Sequence, residues 1–426
     1  MYFKNCNKNK LKKIVKLPPQ PISSVFLNVR KYNLKKYSLD LYICKNCNLI
    51  QFSKLPPLKE MYGTTYGYRT SLSPLMVNHM KNKYLMINKK FNLNNRSLIL
   101  DIGSNDGTFL NFFKKKKIKM YGMDPSAKKF KNLYSKKINI IVDYFSKKKL
   151  FEKTTISKSK KFSLITSFAM FYDIENPNSF CKDISFLLDK KKGVWISEFS
   201  YFPLLLQNLT YDQICHEHVT YYTLTTFKKI AEKNGLKILD FSFNEINGGS
   251  IEVVCAKKNS NFKPNLNKID DLLKNESCIN ENSYEIFNQR VENTKNVLKN
   301  FLNLAKKAKQ KVIGYGASTK GNIVLNHCEI NSKNLRYICD TNSYKHGRFT
   351  PGSNIKIISK EKMRKINPKY LLILIWSFRS EVIKQEINFI KRGGKLVFHL
   401  PMFHIVDKSN YKEYMTKDFK SVSYNI

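Results

Sequence analysis

Short apolar runs recur between residues 98 and 256 and alternate with polar stretches of helical character. The runs read as strands at Leu98–Ile102, Met120–Met123, Ile138–Val142, Phe162–Ser167, Gly193–Glu198, Leu236–Phe243 and Gly249–Ala256. Strands that alternate with helices predict βαβ units and a largely parallel sheet. The last two runs are separated by a Gly-Gly-Ser turn, which predicts an antiparallel pair at the end of that sheet.

A second alternating unit follows the first. A polar linker rich in Asn and Lys begins near residue 261 and leads into a helical periodicity over about Asn282–Gln310. The glycine turn of KVIGYGASTKG comes next, and further strands are predicted at Tyr337–Cys339, Tyr370–Ile375 and Lys395–His399. Residues 261–426 are therefore predicted to form a second, Rossmann-like α/β domain.

Residues 1–80 differ from both units. They contain the proline-rich stretch Leu17–Pro21, a Cys-x-x-Cys knuckle at Cys44 and Cys47, and Cys6 further upstream. Such a knuckle suits a tetrahedral zinc site, which normally has four ligands, and the residue three before Cys6 is Phe3 instead of cysteine. Either zinc is held by Cys6, Cys44 and Cys47 with another group, or the segment is a metal-free remnant of a zinc ribbon.

The overall prediction is an α/β protein of three parts: a small zinc-ribbon-like domain at 1–80, a central domain at 81–260 and a C-terminal domain at 261–426. A length of 426 residues agrees with two or three domains. The hydrophobic fraction of 42% is enough for sizeable cores.

The net charge of +44 raises the question of an acidic binding partner. An acidic partner such as nucleic acid or an anionic membrane would explain it, and so would a compositional bias toward Lys, Asn and Ile. Lys is spread over the whole chain, whereas nucleic-acid readers rely on Arg for bidentate contacts. The sequence thus favours compositional bias as the explanation of the net charge.

The N-terminus is polar and basic and has no apolar signal-peptide core. No run approaches the roughly 18 apolar residues that a transmembrane helix needs. Nine cysteines without a secretory signal indicate reduced thiols. We expect a cytoplasmic protein without a membrane partner. The oligomeric state stays open, with a monomer among the possibilities.

The stretch LILDIGSNDG, Leu98–Gly107, has the clearest local chemistry. A strand ends in an acid, turns through Gly103 and Gly107, and leads into a helix, while Asp124 closes the next strand. Glycines let the backbone approach a nucleoside, and an acid at the second strand end binds the ribose diol. The alternative is a glycine-rich turn of some other α/β protein.

The pattern Asp-x-Gly-x-Asn-x-Gly resembles motif I of class I S-adenosylmethionine (SAM) methyltransferases and departs from the dinucleotide fingerprint Gly-x-Gly-x-x-Gly. SAM is therefore the expected cofactor. The candidate cofactor-binding residues are Asp101, Gly103, Ser104, Asn105, Asp106, Gly107, Asp124, Asp143 and Ser167.

The segment Tyr211–His218, YDQICHEH, places two of the seven histidines beside a carboxylate. His-x-His can ligate a metal, although no third ligand is obvious, and the pair can also be chemically inert. The favoured interpretation is acid–base chemistry, because an imidazole titrates near neutral pH and a neighbouring carboxylate can assist it.

YDQICHEH followed by YYT resembles the YDQIYHEH segment of sugar C-methyltransferases that act on nucleotide-linked 4-keto-deoxysugars. The resemblance extends over nearly the whole chain. It includes the Cys44–Cys47 knuckle and the segments Met61–Ser73, Ile165–Pro177, Asn247–Val253 and Gly314–Ser318. Three positions depart from the family: Phe3 for the first knuckle cysteine, Cys215 for a tyrosine and Asn247 for a histidine.

The resemblance implies roles for individual residues. Glu217 and His218 would be the catalytic base and its partner, and His216 is a weaker candidate. Substrate-binding candidates are Tyr62, Tyr66, Tyr68, Asn247, Gly314 and Gly316. The implied reaction removes a proton next to a keto group of a nucleotide-diphosphate sugar, and the enolate carbon then takes the methyl group of SAM. An RNA-directed methyltransferase and an inactive SAM-binding scaffold are the alternatives.

Overall fold

The computed structural model describes residue 6 and residues 10–61 and 69–418. Its N-terminal part is an antiparallel sheet of β1 (Leu11–Val15), β2 (Leu41–Cys44) and β3 (Ile50–Phe52), followed by the short helix α1 (Leu58–Met61). A fourth strand, Thr220–Tyr221, joins this sheet from far along the chain and pairs with β3. Tyr62, Tyr66 and Tyr68 lie outside the described residues.

The central sheet has seven strands. In chain order they are β4 (Leu98–Ile102), β5 (Lys119–Met123), β6 (Ile138–Ile141), β7 (Leu164–Phe168), β8 (Val194–Ser200), β10 (Leu236–Asn244) and β11 (Ser250–Lys257), with β9 being Thr220–Tyr221 of the first sheet. The spatial order is β10-β11-β8-β7-β4-β5-β6. Only β11 runs antiparallel to its neighbours. This is the class I methyltransferase arrangement, and it confirms the predicted fold.

The C-terminal sheet consists of β12 (Val312–Tyr315), β13 (Tyr337–Cys339), β14 (Lys356–Ile358), β15 (Tyr370–Ile373), β16 (Lys395–Phe398) and β17 (His404–Val406). Its order is β14-β13-β12-β15-β16-β17. All neighbours are parallel except β16 and β17. The order is that of a doubly wound Rossmann-like sheet, whose ligands bind at the carboxyl ends of the strands.

The remaining helices are α2 (Pro74–Lys90), α3 (Thr108–Asn111), α4 (Lys147–Glu152), α5 (Pro177–Leu187), α6 (Phe202–Gln207), α7 (Leu224–Lys233), α8 (Leu266–Glu276), α9 (Glu281–Lys307), α10 (Thr319–His327), α11 (Lys360–Ile366), α12 (Arg379–Gln385), α13 (Ile387–Lys391) and α14 (Tyr411–Thr416). Within residues 10–61 and 69–418, none of them is long and apolar enough to cross a membrane.

Two details differ from the sequence prediction. The linker expected near residue 261 contains α8, whose Ile269 is buried in the central core and whose Glu276 accepts a hydrogen bond from the backbone N–H of Thr225 at the start of α7. A carboxylate at a helix N-terminus is stabilising there. The expected boundary at residue 80 falls inside α2, whose Met76 and Ile87 pack in the central core.

Candidate functional site

The turn after β4 is shaped by two glycines. Gly103 and Gly107 both have a φ of +75°, which favours glycine. A Cβ on Gly107 would lie 2.6 Å from the ring of Tyr134. The Gly103 N–H donates to the carbonyl of Met123 at 2.9 Å, which ties the turn to the end of β5. The two glycines thereby shape a narrow cradle at the end of β4, where the Tyr134 ring packs against Gly107.

Asp124 follows β5 and faces this turn. Its Oδ2 accepts from the backbone N–H of Asn105 at 2.9 Å, and its Oδ1 accepts from that of Ser126 at 2.6 Å. These bonds hold the carboxylate in one orientation at the strand end. The cradle and the acid together fit the nucleoside part of SAM.

The other acid of the motif plays a different part. Asp101 is buried and accepts from the Thr166 hydroxyl at 2.6 Å. Burial, with the charge of Asp124 adding to it, raises the pKa of Asp101 to about 7. Asp101 therefore supports the turn from the buried interior of the domain.

Ser104 and Ser167 also have internal partners. The Ser104 hydroxyl lies 2.9 Å from the hydroxyl of Tyr134. Ser167 donates to the Ser197 hydroxyl at 3.0 Å and accepts from the Trp195 indole N–H at 2.9 Å. Both serines are buried, so their hydroxyls support the sheet and the turn from inside the domain.

A short segment before α2 covers the motif. The Thr70 N–H donates to the Asn105 side-chain oxygen at 3.0 Å, and the Ser71 N–H donates to Asp106 at 2.9 Å. The Arg69 guanidinium lies 3.8 Å from the same carboxylate. Asn105 and Asp106 thus hold the segment that leads away from the tyrosine-rich stretch.

Asp143 follows β6 at the same edge of the sheet. Burial alone would raise its pKa, but the ammonium groups of Lys149 and Lys153 lower it to about 2. The Lys153 Nζ lies 2.7 Å from Asp143 Oδ2. Asp143 is therefore ionised and paired with lysines beside the cradle.

The two histidines of the His-Glu-His segment face different surroundings. His216 is fully buried between the rings of Tyr37 and Phe52, at centroid distances of 5.9 and 6.4 Å. Burial lowers the pKa of His216 to about 4. His216 packs in the N-terminal domain, so this imidazole anchors the loop there.

His218 is partly exposed at the interface between the central and C-terminal domains, which is called the cleft below. Its Nδ1 lies 2.9 Å from the carbonyl oxygen of Gln213, and its ring packs 4.2 Å from that of Tyr172. A carbonyl oxygen only accepts, so Nδ1 carries the proton and Nε2 keeps its lone pair. Burial, with the charge of Lys320 adding to it, lowers the pKa of His218 to about 3.

Glu217 is buried next to His218. Its burial raises the pKa of the carboxyl group, while a hydrogen bond with Ser24 opposes the shift. Asp173, from the segment after β7, has its pKa raised by burial and by the charge of Glu217. The carboxyl groups of Glu217 and Asp173 thus lie close together in the interior.

Loops from the carboxyl ends of both α/β sheets meet at this cleft. Lys320, near the start of α10, donates from Nζ to Asn247 Oδ1 at 2.9 Å. The Trp376 indole N–H donates to Asp212 at 2.7 Å. A Cβ on Gly248 would lie 2.5 Å from the Trp376 ring, so the domains are in close contact there.

The C-terminal glycine turn repeats the geometry of the central one. The Gly316 N–H donates to Cys339 at 2.8 Å, and Asp340 accepts from the backbone N–H groups of Ala317 and Asn342 at 2.8 and 2.7 Å. Lys345 lies 3.5 Å from the carboxylate and donates to the Ala317 carbonyl at 2.7 Å. The acid of this second turn is therefore already paired with a cation.

Gly314 and Gly316 are required by packing. A Cβ on Gly314 would lie 2.7 Å from the Ile338 side chain. A Cβ on Gly316 would lie 2.7 Å from the Ile375 side chain. Gly316 also has a φ of +85°. Both glycines thus position the start of α10, which carries Lys320.

The three predicted metal ligands come together. The Sγ atoms of Cys6, Cys44 and Cys47 lie within 4.8 Å of one another. The Cys44 pKa is lowered despite burial, because backbone N–H groups of the knuckle stabilise the thiolate. Three thiolates fit three corners of a tetrahedral zinc site, in which the metal would hold the knuckle to the chain before β1.

Sequence reasoning overlooked Lys320, Asp212 and Trp376 as members of the cleft. Lys320 stands within the quoted segment KVIGYGASTKG, and Asp212 within YDQICHEH. A lysine directly after a glycine turn and a buried acid before a histidine pair were usable signals. Trp376 offered no local signal, since its contact depends on the domain packing.

Family comparisons agree with this architecture. A methyltransferase domain model matches residues 78–240, a C-methyltransferase C-terminal domain model matches residues 245–401, and a zinc binding domain model matches residues 4–62. These matches identify the chain as a SAM-dependent methyltransferase with a C-terminal domain of the C-methyltransferase type. The methyltransferase is also 26% identical over 367 residues to C-methyltransferase NovU of Streptomyces niveus, a match that covers 86% of each chain.

Solved structures resemble this methyltransferase over less than half of its length. A SAM-dependent methyltransferase of Clostridium acetobutylicum is 15% identical, with a TM-score of 0.30, and the match covers 42% of this chain and 90% of that one. For an N-methyltransferase of Haemonchus contortus the identity is 13%, the TM-score 0.31 and the coverage 43% and 52%.

Proposed function

We propose that the methyltransferase adds a methyl group to a carbon next to a keto group of a nucleotide-diphosphate deoxysugar, through an enolate. The observation that carries the proposal is His218, an imidazole with a fixed tautomer at a cleft formed by the carboxyl ends of two α/β sheets. C-methylation needs such a base, because the carbon must lose its proton before it can act as a nucleophile.

The cofactor side of the cleft follows from the first turn. Gly103 and Gly107 shape the cradle, and Asp124 at the end of β5 is the acid that would accept hydrogen bonds from the ribose hydroxyls. When bound there, SAM supplies the methyl group for the carbon nucleophile. Asp143 closes the same edge of the sheet on the side where the adenine would lie.

The base is His218 through Nε2. The Gln213 carbonyl fixes the proton on Nδ1, so Nε2 is the atom that takes the proton of the sugar carbon. Glu217, the neighbour of His218 in the chain, is the proposed partner of this base. A positioned general base contributes about 10²–10⁴-fold to such a reaction.

The substrate side is assigned to the C-terminal domain. The start of α10 follows the glycine turn and presents backbone N–H groups, a common site for phosphate groups. Asn247 reaches the same place from the loop between β10 and β11. Tyr62, Tyr66 and Tyr68, outside the described residues, are substrate-binding candidates from the sequence alone.

The test is a panel of nucleoside-diphosphate 4-keto-6-deoxysugars with SAM. Methylation is followed by mass spectrometry, and exchange of the α-proton is followed by NMR in deuterated water. We expect His218→Ala to lose both exchange and methylation by at least two orders of magnitude, while binding of SAM measured by calorimetry is retained.

Wild-type activity on none of these sugars would refute the substrate class. If His218→Ala retained wild-type exchange, the base would have to be another group, and His216 would be the next variant to test. Tyr37→Phe is a suitable control for the His216 variant, because it alters a neighbour of the His216 ring and keeps the backbone carbonyl that faces it.

A further inference from the structure

Lys320 is a half-buried cation in the cleft. Helix α10 begins with Ser318 as its N-cap, whose hydroxyl accepts from the Gly321 N–H at 2.9 Å. This start directs Lys320 across the domain boundary, where its Nζ donates to Asn247 Oδ1. Its position is therefore set by both domains.

The ammonium group is not neutralised in a close ion pair. Among the residues that the structure describes, no carboxylate oxygen lies within 4.0 Å of the Lys320 Nζ. Burial lowers its pKa, and the charge of Asp212, further away, partly offsets that shift. A cation removed from water is costly unless it is paired, so a neutral amide as its main contact calls for an explanation.

A continuous chain of hydrogen bonds connects this cation with the base. His218 Nδ1 bonds the carbonyl of Gln213, the Gln213 side-chain N–H donates to the carbonyl of Asn247 at 2.5 Å, and Asn247 Oδ1 accepts from Lys320. His218, Asn247 and Lys320 are each partly exposed, whereas Gln213 between them is buried. The imidazole and the ammonium group are therefore both partly exposed, at the two ends of one bridge formed by Gln213 and Asn247.

Enolate formation requires a base for the carbon-bound proton and a positive charge near the carbonyl oxygen. The C–H bond next to the carbonyl breaks, its proton passes to a base, and its electron pair moves toward the carbonyl oxygen, which becomes negative. Preorganised donors that face such an oxyanion are among the largest contributors to catalysis. A base and a cation without a close ion pair, joined through Gln213 and Asn247, match this requirement.

We propose that Lys320 is a catalytic residue that stabilises the enolate oxygen while His218 Nε2 takes the proton of the adjacent carbon. Asn247 holds the ammonium group in place as a positioning residue. The proposal rests on the proposed function, since it requires a keto substrate. It assigns Lys320 as the cation that acts together with the base. It also places the keto oxygen of the substrate on the side of the C-terminal domain.

The experiment compares Lys320→Met, Lys320→Arg and the control Lys299→Met with the full-length enzyme. Lys299 lies on α9, where it pairs with Glu329 at 2.8 Å on the surface. The assay measures α-proton exchange and methylation of the 4-keto-6-deoxysugar that the wild type accepts, and calorimetry measures binding of SAM.

We expect Lys320→Met to reduce both exchange and methylation by about 10²–10³-fold in kcat, with a much smaller change in KM and in the SAM Kd. Lys320→Arg should recover part of the loss, because it restores a cation, and Lys299→Met should behave as the wild type.

Normal exchange in Lys320→Met would overturn the proposal. So would a loss confined to KM, which would make Lys320 a binding residue. A wild-type enzyme that exchanges and methylates no keto sugar would instead overturn the proposed function. Circular dichroism and SAM binding of each variant separate these outcomes from misfolding.

Discussion

At the scale of single residues, two aspartates occupy equivalent places in the two α/β domains. Asp124 and Asp340 each accept two backbone hydrogen bonds at the end of the second strand of their sheet. Only Asp340 has a lysine, Lys345, within 4.0 Å of its carboxylate among the described residues. The same backbone geometry thus holds an acid without a close lysine in the central domain and an acid paired with a lysine in the C-terminal domain.

We expect Asp124→Ala to weaken SAM binding by roughly ten- to a hundredfold, because a charge-assisted hydrogen bond contributes about 1.5–3 kcal/mol. Calorimetry with SAM measures the change. Asp340→Ala is the matched control, since it removes an acid with the same backbone partners and should leave the SAM Kd unchanged. Equal effects of the two substitutions would contradict the assignment of the cofactor to the central domain.

The sequence was sufficient for the residues whose role is local. The glycine turn and the acid that closes the next strand follow from spacing along one βαβ unit, so Gly103, Gly107 and Asp124 could be placed without a structure. The opposite orientation of His216 and His218 could not be predicted, because it depends on Tyr37 on one side and Tyr172 on the other. Likewise, Ser167 belongs to a predicted strand, but its inward direction depends on Trp195.

At the scale of elements, the glycine turn before α10 determines where the C-terminal domain meets the central one. Gly316 combines a φ of +85° with a Cβ position 2.7 Å from Ile375. Any side chain there must shift either the turn or β15, and with it the start of the helix that carries Lys320. The strands themselves were largely predictable from the sequence. Which of their loops meet could not be predicted, because it depends on the relative position of the two sheets.

Gly316→Val is expected to raise the substrate KM at least tenfold and to leave the SAM Kd unchanged, because the central domain does not share this turn. Steady-state kinetics and calorimetry measure the two quantities. Gly347→Val provides the matched control: its φ is +81°, yet no atom lies within 4 Å of the added Cβ. A loss of SAM binding in Gly316→Val with the substrate KM preserved would contradict this division between the domains.

At the scale of the whole molecule, the N-terminal and C-terminal domains share one hydrophobic core. Ile14 and Phe52 belong to the same buried cluster as Ile323 and Trp376. Polar contacts reinforce it, for example the Asn322 side chain donating to the Ser23 carbonyl at 2.7 Å. The small N-terminal domain therefore does not depend on a metal alone for its position.

We expect the purified methyltransferase to contain less than one zinc per chain, because Cys6, Cys44 and Cys47 supply three thiolates where a structural site normally has four ligands. Metal analysis of the native protein measures the ratio, and a chelator should change the melting temperature only slightly. One tightly held zinc per chain would reveal a fourth ligand outside these three cysteines.

The strand Thr220–Tyr221 gives the molecule a further property. It comes two residues after His218, yet it completes the N-terminal sheet by pairing with β3. A chimera that exchanged the first domain between two related enzymes would therefore replace one half of a strand pair and leave the other half behind. In engineering terms, the first domain and the loop that carries His218 form a single exchangeable unit that is discontinuous in the gene.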